Sequence, residues 1–484
     1  MRRLAQSLAL IFVSAFTFSG PGCTTGPVSN SNTTTPVTAP SPSPTIAEKT
    51  ETASLPVTLP VLNALFSDQA FKTELKSKVQ LTDEQIGNLQ KSAADEIARL
   101  RQTNAEQQEG SASEARDRSA AAVRAAVGEQ KAREIFSLAN EHWVRGSEEL
   151  EATNAKPRET AMLPGPNAVP RDSRIVVNIP AFRMDVFKDG SLLKSYKIGI
   201  GYPEFPLPTG LRKAQQIIFN PTWTPPDEPW VASMKEIKVG ERVEAGSKLN
   251  PLGPVKIPIG LPSLIHGGKC VAKLGTFASH GCVGLTNAQV KDFARLLAQT
   301  AGTAISDKAI ETYLQDKTKT KVVKLDKIVP VELRYETIVL EDGKLHIYKD
   351  VYDQDSNTEE NLRAVLDANG LKLEDLSEAE RAEVLEGLNA MSAHPKKLPP
   401  QKPSNTNMSS ANVNQTVNTN EPAKAGEKKR KPEKKAPKNQ KERVIEIAAL
   451  GGKGYPAPVD LDTGTGKPSS KTAAISSEPN KKVH

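Results

Sequence analysis

"LIHGGKCVAKLGTFASHGCVGL", Leu264 to Leu285, holds two of the chain's six histidines and two of its three cysteines. His266, Cys270, His280 and Cys282 stand among glycines that strip side-chain bulk from the backbone. Three kinds of chemistry suit these residue types. The first is nucleophilic catalysis, in which a thiol attacks as thiolate and a nearby imidazole takes its proton. Cys282 is then the nucleophile and His266 the base, with the N–H groups of Gly281 and Cys282 facing a developing oxyanion. A helix starting just behind Cys282 favours the thiolate. The second is a tetrahedral Cys2His2 site of the kind that holds zinc, although the spacings H-x3-C and H-x-C differ from paired knuckles. The third is structural, with buried thiols and satisfied histidines. The clustering of such scarce residues argues against the third.

Outward from this stretch, period-two patterning marks strands. "RIVVNI" and "FRMDVF" alternate from Arg174, with Phe182, Met184 and Val186 on one face. "KDG" at 188–190 is a turn and "SLLKSYKIGIG" its returning strand. "YPEFPLPTG" and "NPTWTPPDEPW" are Pro-rich loops. After Leu285, Thr286 and Gln289 form a capping box, with Leu285 and Val290 as a hydrophobic staple. "VPVELRYETIVL" and "KLHIYKDVY" read as a second hairpin across "EDG", and a short helical segment covers Glu359 to Met391.

Residues 59–150 read as a helical domain. Thr82 and Gln85 cap a helix carrying Ile86, Leu89, Ala93, Ile97 and Leu100. "EGSASEARDRS" breaks the pattern, and a second helix runs from about Ala121 to Trp143. The start "LTDEQ" resembles a repeat of small periplasmic chaperones of the Spy and CpxP type; a helical spacer or docking unit is the simpler reading.

The net charge of +7 is local: Lys424–Arg443 carries ten Lys and Arg against three Glu. The basic balance therefore describes a tail and gives no ground for a nucleic-acid-binding fold; the tail reads as a solubilising segment, with anionic wall polymers as the other candidate contact. At the other end, "MRR" followed by the apolar run "LALIFVSAFTF" reads as an export signal over residues 1–23. Cys23 follows as a candidate lipidation site, and Thr24 suits outer-membrane sorting. The expected product is a periplasmic, outer-membrane-anchored lipoprotein or another exported envelope protein. Residues 24–58 read as a disordered tether, 151–170 as a linker and 394–484 as a basic disordered tail with a brief "VIEIAAL".

The pair "IHG" and "SHGCVGL" is similar to the signature of L,D-transpeptidases, which have a YkuD-type catalytic domain. The similarity runs from "IVVNIPAFRMDVF" through "NPTWTPPDEPW" and "NPLGPVKIPIG" to the helix after Cys282. The resemblance implies a multidomain α+β chain: a mostly-β catalytic domain at 171–305, preceded by the helical domain and followed by a hairpin and helical extension at 306–393. It also implies roles. Cys282 attacks the carbonyl between the third residue of a peptidoglycan tetrapeptide stem and its terminal D-Ala. His266 is the base, oriented by the Gly267 carbonyl. His280 supports the site, Gly281 donates to the oxyanion, and Ser279 and Gly284 lie against substrate. A thioester forms, D-Ala leaves, and an amine takes the acyl group, giving a 3–3 cross-link or wall attachment; water would give an L,D-carboxypeptidase side activity. Carbapenems are expected to acylate the same thiol. No metal or other cofactor is implied. Gly284 stands where many relatives carry Arg or Asn. The alternatives from other classes are a periplasmic helical chaperone or stress protein, or a Cys2His2 metal-binding protein, with a catalytically silent fold. Cys270 is a candidate disulfide partner for Cys282 if their Cα atoms lie roughly 4–7 Å apart; an unpaired thiol is the simpler expectation.

Overall fold

Gln85 N–H donates to Thr82 Oγ1 at 3.1 Å, and Thr82 N–H donates to Gln85 Oε1 at 3.2 Å. Two donors at a helix start are thus satisfied reciprocally. These bonds come from a computed structural model describing residues 56–102, 110–145, 162–225, 231, 236–260, 262–395 and 440–465. The export signal, Cys23, nearly all of the tether and most of the basic tail lie outside the described residues.

The helical domain comprises α1 (Leu59–Leu65), α2 (Gln69–Ser77), α3 (Asp83–Gln102), α4 (Ala112–Val127) and α5 (Glu129–Arg145). Ile86, Leu89, Ala93, Ile97 and Leu100 are all buried on one face of α3. The single helix expected from Ala121 to Trp143 is instead two. Gly128, at φ +83°, ends α4 with its N–H on Arg124 O at 2.8 Å. A side-chain-free residue takes that backbone conformation without steric cost. Likewise "EGSASEARDRS" starts α4 instead of breaking the pattern, because Ser111 caps it through Glu114 N–H. No described helix is long and apolar enough to cross a membrane.

The strands are β1 (Arg174–Asn178), β2 (Arg183–Lys188), β3 (Ser191–Lys197), β4 (Ile200–Gly201), β5 (Gly210–Phe219), β6 (Val255–Pro258), β7 (Leu264–Lys269), β8 (Phe277–Ser279), β9 (Val283–Thr286), β10 (Lys321–Arg334), β11 (Ile338–Glu341), β12 (Lys344–Tyr348) and β13 (Glu442–Glu446). One sheet has the order β3-β2-β1-β10-β5-β6-β7-β9, with β1–β10 and β7–β9 parallel. It curls until its edges meet: Gly199, just past β3, exchanges two 2.9 Å backbone bonds with Gly284 in β9. The helix after Cys282, α6 (Asn287–Thr300), forms with both bonds of the Thr286–Gln289 box. It packs Val290, Phe293 and Leu297 into the core with Ile175, Val177, Ile265, Val283 and Leu285. A further helix, α7 (Asp307–Gln315), adds Ile310 to the same core. Asp189–Gly190 and Asp342–Gly343 all have positive φ, as tight hairpin turns require.

Two expectations change. "VPVELR" belongs to β10, inside the eight-stranded sheet between β1 and β5, so a domain ending at 305 lacks a central strand. Only β11 and β12 make the second hairpin, covered by α8 (Glu359–Ala368) and α9 (Glu378–Met391). Residues 440–465 are ordered where a disordered tail was expected. "VIEIAAL" contributes to β13, which pairs with β12 and buries Ile445, Ile447 and Leu450. The chain then runs as a strap along β3: Ser195 N–H donates to Val459 O at 2.9 Å and Lys197 N–H to Asp462 O at 3.0 Å. Few apolar residues suffice here because the strap borrows backbone partners from an existing edge.

The helices and the sheet share contacts. Thr58 Oγ1 donates to Glu204 O at 2.7 Å, and Arg116 donates to the carbonyls of Tyr352 and Asp353. At the other junction, buried charges join the sheet to the hairpin module. Arg183 pairs with Asp185 at 2.8 Å and with Glu341, while Tyr455 donates to Asp185 at 3.2 Å. Truncating Arg183 to Met would strand two buried carboxylates, and a loss of about 3–5 kcal/mol is expected. Denaturant unfolding of the two proteins measures it; a loss below about 1 kcal/mol would mean that this pair does not hold the module.

Candidate active site

The parallel pairing of β7 and β9 positions the chemistry. Ile265 pairs with Val283 and His266 with Gly284. Since side chains alternate across a sheet, Ile265 and Val283 face the core, and His266 and Gly284 face the opposite side. Cys282, just before β9, shares that second face. It is the diagonal neighbour of His266, on the order of 8 Å between Cα atoms.

His266 is buried, and its Nδ1 lies 2.7 Å from Gly267 O. A carbonyl only accepts, so Nδ1 carries the proton and Nε2 keeps a free lone pair. Burial, followed by the positive charge of Lys269, pushes the imidazole down to about 3; Lys256 adds a smaller push, against the Gly267 bond. Burial also raises the Cys282 thiol, opposed by the Leu264 backbone and by Lys269. The resting pair is therefore neutral thiol and neutral imidazole, and proton transfer must accompany attack.

The loop before Cys282 is locked from within. Cys282 N–H donates to Ser279 Oγ at 3.1 Å, and that hydroxyl donates to Cys282 O at 2.5 Å. Ser279 is thus buried and forms the turn that leads into Cys282. The Cys282 N–H, expected toward an oxyanion, is already engaged. Gly281, at φ +85°, has no hydrogen bond from its N–H among the described residues. His280 packs against Tyr202 in a tilted contact, centroids 5.2 Å apart, and edge-on against Phe205 at 4.8 Å, and burial holds it well below the usual imidazole range. Leu100 of α3 packs on those same two aromatic rings, so the helical domain backs the loop from behind.

Cys270 and Cys282 are both free thiols. Lys269 pairs with Thr286, so Cys270 lies beyond the far end of β9, exposed. Four residues of strand, on the order of 13 Å, separate it from Cys282, too far for the disulfide considered above. The same distance divides the two Cys of the Cys2His2 reading. Among the described residues no group of three or more His, Cys, Asp or Glu could hold a metal.

Sequence reading missed Lys256, Lys269, Tyr202 and Phe205. One signal for Lys256 was present: it is the single charge in the apolar strand "VKIP". Gly284 lies beneath Lys269, whose Cγ is 2.8 Å from where a Cβ on Gly284 would stand.

Residues 172–323 match the model of the YkuD family, the L,D-transpeptidase catalytic domain. Solved structures similar to it include the catalytic domain of an Enterococcus faecium L,D-transpeptidase, at 17% identity and TM-score 0.22 over 34% of this chain and 100% of that one. An L,D-transpeptidase from Mycobacterium smegmatis is 15% identical with TM-score 0.20, over 34% of this chain and 58% of that one. Another, from Mycobacterium tuberculosis, is 16% identical with TM-score 0.20, over 34% of this chain and 57% of that one. The chain thus spans less than two thirds of the two mycobacterial proteins. No curated protein matches it.

The depressed His266 has a measurable signature. An unfolded histidine titrates near 6.5 and the native one near 3, so between these values the unfolded chain binds a proton that the native protein refuses. Stability from this group is therefore complete above about 6.5 and declines as pH falls toward 3. In NMR titrations the His266 ring signals should not move through about pH 6.5; a midpoint there would mean a solvated imidazole. His266→Gln should remove its part of the acid-side decline in unfolding free energy.

Proposed function

We propose that this chain is a peptidoglycan L,D-transpeptidase that uses Cys282 as nucleophile. The YkuD domain supports the transpeptidase class. The observation that carries the finer reading is the fixed tautomer of His266, which puts the proton on Nδ1 and leaves the Nε2 lone pair for the thiol proton. Nε2 takes the thiol proton as Sγ attacks the carbonyl carbon linking the third stem residue to terminal D-Ala. The C–O double bond opens to an oxyanion, for which the Gly281 N–H is the available donor. The imidazolium returns its proton to the departing nitrogen, the C–N bond breaks, and D-Ala leaves from a thioester. An acceptor amine then loses its proton to Nε2 and attacks, and the C–S bond breaks to give a new amide and the regenerated thiol. The acceptor is the side-chain amine of another stem, giving a 3–3 cross-link, or an amine that attaches a protein to the wall; water gives the carboxypeptidase product. His280 and Ser279 shape the loop without taking the proton.

The "MRR" and apolar run with Cys23 support a place outside the inner membrane, on a lipid anchor. Intact-mass measurement of the mature protein tests this, since an acylated Cys23 adds the mass of its chains.

Incubating the purified protein with tetrapeptide muropeptides, with products read by mass spectrometry, tests the reaction. Loss of D-Ala with dimers is expected, and Cys282→Ala should lower the rate by about a thousandfold or more. Loss of D-Ala without dimers would make water the acceptor. Unchanged substrate with both proteins would end the enzyme reading.

A further inference from the structure

Tyr202 and Phe205, whose rings pack against His280, belong to the loop "GYPEFPL", Gly201 to Leu207. That loop also meets the backbone of the oxyanion donor. A Cβ placed on Gly201 would stand 3.1 Å from Gly281 N and 3.2 Å from Gly281 Cα. One placed on Gly281 would stand 3.8 Å from Phe205 O and 3.9 Å from Pro206 O. Tyr202 N–H donates to Ser279 O at 2.9 Å, two residues before Gly281. The direction of the Gly281 N–H therefore depends on where this loop sits.

One hydroxyl ties both ends of the loop. Tyr352 Oη donates to Gly201 O at 2.8 Å and accepts from Leu207 N–H at 3.2 Å. A carbonyl only accepts and an amide N–H only donates, so both roles of the hydroxyl are fixed. Burial raises the phenol well above its ordinary value, against those two bonds, so it stays protonated and able to donate. The ring stacks on Phe277 of β8, with centroids 6.2 Å apart, and on Tyr335, at 5.9 Å.

The main chain of Tyr352 is held as firmly. Its N–H donates to Tyr335 Oη at 2.7 Å, and Tyr335 Oη donates to the buried Asp350 carboxylate at 2.5 Å. Arg116 of α4 donates to Tyr352 O at 2.8 Å. The Asp353 carboxylate accepts from Ser111 and Ser113 at the start of that helix. Tyr352 thus reaches the loop from a fixed support that lies beyond residues 172–323. A buried tyrosine with two backbone bonds is ordinary core architecture. This one differs in its address, because both partners bound the loop that surrounds Gly281.

We propose that Tyr352 is a positioning residue: by holding Gly201 and Leu207 it fixes the loop that aims the Gly281 N–H. The chemical part of this rests on the transpeptidase reading. An oxyanion donor acts mainly in the transition state, so misaiming it lowers kcat and leaves KM nearly unchanged.

Tyr352→Phe keeps the ring and removes both bonds. In single-turnover release of D-Ala from a tetrapeptide stem by the full chain, its rate constant should fall about tenfold or more. The amplitude, which counts competent molecules, should hold, and the steady-state KM should stay within about twofold. In the full chain carrying Cys282→Ala, adding Tyr352→Phe should shift the NMR signals of the Gly281 amide and the His280 ring. Leu75 methyl signals in α2 should stay in place. Arg116→Gln, which releases the Tyr352 carbonyl from α4, should act in the same direction and less. It carries the same readouts if Tyr352→Phe does not fold. With an active wild type, an unchanged rate constant overturns the proposal. So does loss of amplitude alone, which a purely structural tyrosine would give, and so does a slower rate with an unmoved Gly281 amide. If the wild type releases no D-Ala, shifted Gly281 and His280 signals keep the positioning role and remove the transferase. Unmoved signals in that case remove both.

Discussion

The parallel alignment of β7 with β9 is the constraint on which the site depends. Parallel neighbours cannot be joined by a tight turn, so the chain must leave β7, travel, and re-enter beside it. The excursion from Cys270 to Cys282 is that journey, and its return is fixed at several points. β8 pairs with β4, Ser279 ties back to the Cys282 backbone, and the Thr286 cap starts α6 immediately afterwards. His266 in β7 and Cys282 just before β9 are therefore separated along the chain path yet adjacent in the sheet. Neither depends on a free loop for its position.

Burial makes this arrangement reactive in a particular way. A solvated thiol and imidazole can exchange a proton at rest, but here desolvation penalises both charged forms. Charge separation is postponed until a substrate arrives with groups that stabilise it. Tyr202 and Phe205 form an aromatic cradle for the His280 ring, and Leu100 extends that cradle into the helical domain. The helices are thereby part of the wall behind the Ser279–Cys282 loop.

Local chemistry was legible where a short motif carries its own physics. The Thr82–Gln85 and Thr286–Gln289 caps and the Asp-Gly turns need only neighbouring residues, and they read correctly. His266 and Cys282 could be paired because glycine-flanked, reactive side chains are scarce. What escaped depends on distant partners. β5 carries Arg212, Lys213, Gln215 and Gln216, too polar to announce a central strand, yet it lies between β10 and β6. The strap at 455–465 has few apolar residues because β3 supplies its bonding groups. Lys269 was hidden for a similar reason: its aim depends on a one-residue bulge that periodicity cannot display.

The strap and the Gly199–Gly284 bridge together affect how copies of the protein meet. An open sheet ends in rows of unpaired N–H and C=O groups, ready to template strands from another molecule. Here β3 is covered by the chain's own later residues, and β9 is met by the backbone just past β3. Such closure guards against edge-to-edge aggregation. It also gives Gly284 a duty unrelated to chemistry, since its N–H and C=O complete the seam that seals the sheet.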